Sequence, residues 1–442
     1  MPTFRRNVLA LVLSCTVAVP AVALGASDLV LRNVSLIDGR GGAPVTAATV
    51  LIHDGRIAKI ERGGAMHAPA GATELDLTGR WLIPGLVDAH VHVATDPTGA
   101  DKDARERLAR AFRGGVTTVR DMGGDAIALR ELADWAAGDT VGAPRIHYSA
   151  LFAGPSFFSD PRTIASAHGG VPGELPWLRA VRDTTDLRRA VAEGQETGAT
   201  GVKIYANLTP AQLAAVAREG RRRKMPVWSH ATVFPALPSD AVAGGVNVLS
   251  HATSLIWETQ RPVPPDYHEA RTAIRALDPP VLDSAGLAPL FARMKKAKAM
   301  LEPTLYVSEI QPSLQKIAPW CRWVTGLAYR AGVALVAGTD DIGAEPDSLP
   351  NIHRELELLV ESGLTPLAAL TAATLNGARA LGRDDDSGTV EKGKVADLVV
   401  LDADLTVEIG NTRRVRMIIK GGRLFEFGDG LIDSPTSGGI YR

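Results

Sequence analysis

Cysteine is nearly absent: two thiols, Cys15 and Cys321, stand in 442 residues. A disulfide framework is therefore excluded, and so is a structural zinc site built from thiolates. A basic excess is missing too. Lys and Arg number 48 against 49 Asp and Glu, and no stripe of cations interleaves with aromatics. A nucleic-acid partner is accordingly not expected. The one basic run, Arg221-Arg222-Arg223-Lys224, closes a helical stretch, where cations complement the helix dipole and face solvent. Aromatic residues are sparse at 5%, yet hydrophobic residues reach 45% and charged ones 22%, an ordinary balance for a chain that buries a sizeable core.

What the chain does contain begins with a short basic segment, MPTFRR, followed by the apolar stretch NVLALVLSCTVAVPAVALGA. Residues 1–26 read as a secretory signal peptide, with Ala21 and Ala23 placing cleavage between Ala23 and Ala26. Pro20 and these small residues favour cleavage over a retained membrane anchor. A lipoprotein modified at Cys15 is the lesser alternative, because the apolar stretch continues well past that residue. The expectation is an exported protein, periplasmic or secreted, with no membrane attachment after signal removal and Cys321 left unpaired.

Beyond the leader, two textures alternate. Residues 27–82 and 383–442 carry short β-rich runs bounded by Gly and Asp turn signals, such as "TVLIHDGRIAKIE" and "RVRMIIKGGRLF". The economical arrangement is one small β domain assembled from both ends of the chain. Between them, residues 83–382 repeat a short apolar run followed by a helical stretch, and eight such runs can be counted, from "LVDAHVHV" to "VALVAGTDD". That alternation predicts an α/β fold with a parallel sheet, and eight repeats favour a closed (β/α)8 barrel over a doubly wound open sheet.

The polar residues at the ends of these runs carry the chemistry. His90 and His92 close the first run, Lys203 lies in the fourth, His230 closes the fifth, His251 the sixth and Asp340 the eighth. Residues i and i+2 of a strand share a face, so His90 and His92 point together, and in a barrel all these ends converge on one mouth. Taken singly, each has a plainer reading: His230 as a satisfied core histidine, Asp340 as a cap. Lys203, inside "GVKIYA", has none as easy, because a buried unpaired ammonium is costly. The six residues on five strands decide the matter jointly.

The motifs "WLIPGLVDAHVHV", "GVTTVRDMGG", "GVKIYA", "VWSHA", "LSHA" and "AGTDD", with "AATLNGARALG" and "GTVEKGKVADLVVLDAD" further on, resemble the amidohydrolase superfamily. Within it the chain is similar to the imidazolonepropionase-like and Xaa-Pro dipeptidase-like branch. The resemblance implies a β/α barrel with a small β-sandwich from the two chain ends. It also implies two divalent ions: His90, His92 and Asp340 on one, His230 and His251 on the other, and Lys203 bridging them as a carbamate formed with carbon dioxide. Zinc suits imidazole and carboxylate ligands. A hydroxide bridging the ions would attack the scissile carbonyl, with Asp340 as the catalytic acid–base.

The substrate, a small molecule, is decided by two long loops, 153–177 and 253–287, on the catalytic face. They carry Phe157, Phe158, His168, Trp257 and Tyr267. His168 is a candidate contact for the substrate carbonyl, and Tyr205, two residues beyond Lys203, a candidate hydrogen-bond donor. Arg120 has two readings, a substrate carboxylate or a structural partner, and the structural one leads. Many relatives would carry Gly-Gly-His after the third strand; here "AGPSFFSDP" stands there. The reading is thus a hydrolase of an amide bond in a dipeptide or N-acyl amino acid. A lactone, ester or phosphotriester hydrolase on the same site is the alternative, and a non-catalytic binding protein is disfavoured by the complete ligand set. Self-association is left open.

Overall fold

A computed structural model describes residues 28–63, 66–95, 101–138, 140–276, 284–341 and 349–426. The expected signal segment, Cys15 included, lies outside them. Among the described residues no helix is long and apolar enough to cross a membrane.

Among the described residues sixteen strands fall into two sheets. The first holds β1 (Leu29–Leu36), β2 (Val45–His53), β3 (Arg56–Arg62), β4 (Thr73–Asp76) and β5 (Trp81–Pro84). The second holds β6 (Leu86–Val91), β7 (Val116–Asp121), β8 (Arg145–Ala153), β9 (Leu178–Ala180), β10 (Gly201–Ile204), β11 (Val227–His230), β12 (Val248–Ser250) and β13 (Met300–Glu302). The chain then returns to the first sheet with β14 (Leu398–Leu401), β15 (Val415–Lys420) and β16 (Arg423–Glu426). The two chain ends join through the antiparallel pairing of β5 with β14, Ile83 opposite Val399, and through a bridge between Arg56 and Val395.

Period-two alternation explains how this sheet serves two cores. Leu82, Leu398, Val400, Met417 and Ile419 pack with Leu31, Val50 and Ile57 in a cluster of the sheet's own. Their neighbours Ile83, Val399, Leu401 and Ile418 turn the other way, into the large cluster shared with the barrel helices. The β domain is therefore fastened to the barrel by the outward face of the same strands that close its own core.

In the second sheet β6, β7, β8, β10, β11, β12 and β13 pair in parallel, with β9 attached to β8. Helices cover it. Pro210–Arg222 shows why they form: Thr209 and Gln212 make a capping box, Pro210 opens the first turn, and Leu213, Val216, Ala217 and Gly220 recur on the buried stripe.

The eighth run closes the ring without being a regular strand. Leu301 N donates to Ala334 O (3.0 Å) and Val336 N to Leu301 O (2.9 Å) on one side. Ala89 N donates to Ala337 O (3.0 Å) and Asp340 N to His90 O (2.8 Å) on the other. Regular strand geometry is interrupted by Gly338 and by Asp340, whose φ is 59°. Gly338 is required by contact: a Cβ there would lie 2.7 Å from His90 Cβ and 2.9 Å from Glu302 Oε1. Gly338→Ala should therefore destabilise the fold by about 1–3 kcal/mol. A lowered denaturant midpoint, together with reduced bound metal, is the expected result.

Candidate metal centre

The C-terminal ends of the barrel strands bring four histidines into a row. Ring centroids are 5.4 Å apart for His92 and His90, 4.8 Å for His90 and His251, and 4.5 Å for His251 and His230. Asp340 reaches into this row. Its Oδ1 lies 3.4 Å from His90 Nε2 and 3.2 Å from His92 Nε2, and its Oδ2 lies 3.9 Å from His251 Nδ1. Donor atoms of His90, His92 and Asp340 all fall within 4.8 Å of one another. Lys203 is fully buried, with its Nζ 3.5 Å from Ser250 Oγ and 5.7 Å from the centre of the Tyr205 ring. The structure thus gathers all six residues named from the sequence.

On three of these rings Nδ1 is already committed. His90 Nδ1 meets Glu302 Oε2 at 2.7 Å, His92 Nδ1 meets Gly123 O at 3.2 Å, and His251 Nδ1 meets Thr304 Oγ1 at 2.9 Å. A neutral imidazole that donates through Nδ1 keeps its lone pair on Nε2, and on His90 and His92 that atom faces Asp340. Two such nitrogens beside a carboxylate oxygen suit a divalent cation. Burial holds His90 and His230 below the ordinary imidazole value and pushes His251 down to about 3, which favours the neutral form that ligation requires, whereas the adjoining Asp340 raises His92.

Glu302 lies beneath the row and was not singled out in the sequence. Its carboxylate is wholly buried and accepts from His90, from Ser250 Oγ at 2.8 Å and from the Arg120 guanidinium. Burial alone would raise its pKa, but Arg120 and His90 outweigh that and hold it at about 2. Arg120 also donates to Ala89 O at 2.6 Å and lies over the Trp228 ring at 4.5 Å. It is sealed in the barrel interior, away from the cavity, as the structural reading requires. Asp88 fixes the closing segment, accepting from Thr339 N (3.0 Å) and Thr339 Oγ1 (2.7 Å). Glu355 does the same for the following turn, accepting from Leu305 N (3.1 Å) and Tyr306 N (2.6 Å) beside Thr304. One signal was available for Glu302: a carboxylate inside the apolar run "AMLEPTLYV" poses the same burial problem as Lys203.

Above the row is a cavity of about 320 Å³, lined by His92, His230, His251 and Asp340 at its floor. Tyr205 lines it, stacked on Phe157 at 4.4 Å and 4.0 Å from the His230 ring. Tyr267, also lining it, comes from the second long loop. Arg162 lies over both tyrosines, donating to Tyr205 Oη (3.1 Å) and Tyr267 Oη (3.4 Å), while Asp160 holds it at 2.8 Å. Arg271 and Arg275 complete a cationic lining in which Asp340 is the single carboxylate among the described residues. His168 is not brought to this lining. Its Nδ1 pairs with Asp125 at 2.6 Å and its side chain is half exposed. Phe158 and Trp257 pack in the core instead.

Known proteins resemble this chain over most of its length. The Amidohydrolase family pattern matches residues 81–425. Imidazolonepropionase of Methylobacterium sp. (strain 4-46) is 29% identical over 419 residues, covering 86% of this chain and 95% of that protein. A solved Xaa-Pro dipeptidase with methionine in its active site superposes with a TM-score of 0.73 at 22% identity, covering 91% of this chain and 100% of that one. Aspergillus niger ochratoxinase gives a TM-score of 0.70 at 21% identity, covering 92% and 98%.

Removing the Glu302 charge leaves Arg120 buried without its ionic partner and frees His90 Nδ1. Glu302→Gln should cost about 3–5 kcal/mol of stability and weaken metal binding by roughly 10–100-fold. Urea unfolding and metal analysis after dialysis measure the two effects separately.

Proposed function

The chain belongs to the amidohydrolase family, and from that premise we propose that it is a hydrolase with two divalent ions that cleaves an amide bond in a dipeptide or N-acyl amino acid. His90, His92 and Asp340 would hold one ion and His230 and His251 the other, with Lys203 joining them as a carbamate. Burial pushes the Lys203 ammonium down to about 7, which favours the neutral amine that adds carbon dioxide. Zinc fits the imidazole and carboxylate donors. When bound, the ions supply Lewis acidity and acidify water.

The remaining chemistry falls to side chains. The Asp340 carboxylate can take a proton from the attacking water on one oxygen and return it to the leaving nitrogen. It is ionised and so able to accept that proton. Burial would raise its pKa, but His90, His92 and His251 together hold it well below the ordinary carboxylate range. Tyr205 and Tyr267 direct hydroxyls into the cavity beside Arg162, where they can orient the substrate carbonyl. Phe157, Leu151 and Leu178 offer apolar contact.

The observation that carries the amide reading is the charge of the cavity. Three arginines line it against the single carboxylate of Asp340 among the described residues; Asp160 engages Arg162 at 2.8 Å and approaches Arg271 only to 4.0 Å. Arg271 and Arg275 suit a substrate with a free carboxylate, as dipeptides and N-acyl amino acids have. A lactone or phosphotriester is neutral and gives them nothing to pair with. We also assign the mature protein to the exterior of the cytoplasm, on the composition of residues 1–26.

Zinc-loaded protein should hydrolyse members of a dipeptide and N-acyl amino acid library, and lose that activity on chelation. Cleavage of lactones or phosphotriesters with no amide turnover would replace this reading with the ester one. Asp340→Asn should lower kcat by roughly 10²–10⁴-fold. Arg271→Ala should raise KM about tenfold for carboxylate-bearing substrates and leave their amidated analogues unchanged.

A further inference from the structure

The basic run Arg221–Lys224 is not only a solvated helix end. At the face of the barrel opposite the metal centre, where β8, β11 and β12 begin, Arg221 and Lys224 line a groove of about 590 Å³. Arg379 and Arg383, from the end of helix Leu375–Ala380 and the turn beyond it, line it too. Among the described residues no carboxylate lines this groove. Asp384 lies 3.6 Å from Arg379 and Asp386 2.8 Å from Arg383, so two of the four cations are steadied from outside it. Arg221 is fixed by the carbonyls of Gly244 (2.7 Å) and Gly245 (2.8 Å), which orient the guanidinium without neutralising it.

His147 adds an unusual polar atom. Its Nδ1 is buried and has no hydrogen-bond partner among the described residues. Burial, with Arg383, Arg145 and Arg120 nearby, pushes the imidazole down to about 4, so the ring is neutral. Asn247 lines the same wall; its Oδ1 accepts from Val227 N at 2.8 Å, which leaves its amide nitrogen as a neutral donor.

We propose that this groove is a second ligand site, which binds a small phosphate-bearing anion. Its volume is that of a small-molecule site. Guanidinium groups present paired N–H donors that match phosphate oxygens. Four cations around one space leave positive charge that a single carboxylate would not balance but a phosphate dianion would. Nothing in this assignment depends on which bond the metal centre cleaves.

Inorganic phosphate titrated calorimetrically into the zinc-loaded protein at fixed ionic strength tests it. Saturable binding is expected, weakened about tenfold in Lys224→Asn and in Arg383→Gln and unchanged in Arg222→Gln, a cation of the same run that does not line the groove. Asparagine is chosen because Lys224 has φ of 58°, a conformation that residue tolerates. Circular dichroism melts report whether the variants fold. Absence of saturable binding by the unaltered protein overturns the proposal. So does binding that both groove variants leave intact, which would place the phosphate on the metal ions.

Discussion

A carboxylate buried with an arginine and a histidine sets the geometry on which the rest of this barrel depends. Glu302 ends β13, and from there it holds Arg120 of β7, His90 of β6 and Ser250 of β12. Four strands are thereby tied at one level of the barrel interior by a single side chain. Ion pairs of this kind contribute little net stability, because desolvation consumes most of the attraction. Their value is in the geometry they impose. With Oε2 on His90 Nδ1, the imidazole can offer only Nε2 upward, and with Ser250 also bound to Glu302, the hydroxyl nearest Lys203 is oriented as well.

Above that level the backbone is bent into conformations that side-chain-bearing residues seldom adopt. His251, Thr304 and Asp340 have φ of 74°, 48° and 59°. Each follows a barrel strand or the closing segment, and each contributes to the row of donors or supports it. Such residues persist where surrounding contacts over-determine them. Asp88 and Thr339 hold the turn at Asp340, and Glu355 holds the one after Thr304. His90, Lys203 and His230 lie within regular strands, whereas His251 and Asp340 stand just beyond theirs, on irregular backbone that turns them inward.

Much of this was legible beforehand. Eight apolar runs alternating with helical stretches favour a barrel over an open sheet, and strand periodicity alone places His90 and His92 side by side. Lys203 was informative because its burial violates a general rule. The gaps have physical reasons. Glu302 and Arg120 satisfy each other, and a pair 182 residues apart leaves no local pattern. The eighth run reads as a strand because its apolar residues are right, but Gly338 and Asp340 break the ladder where the close approach of His90 demands it. His168 sits in the expected loop, yet a loop's path is set by packing rather than by periodicity, and Asp125 draws its ring out of the cavity lining. Arg162 was passed over for the same reason: nothing in its neighbourhood foretells two tyrosine hydroxyls.

The pairing of β5 with β14 has a bearing on how the chain folds. These strands lie roughly 300 residues apart in sequence, and the core cluster of the small sheet takes residues from both. Until β14 arrives, β5 has an open edge where that strand will pair, and Leu82 lacks the cover of Leu398 and Val400. Contacts of such separation form slowly, since a long loop must close before they bring any gain. β1, β2 and β3 can pair with one another locally, but the edge of β5 stays open until the barrel has been made, so completion of the small sheet is a late event in folding. An unfinished chain presents an unpaired edge of the kind that invites association with other chains.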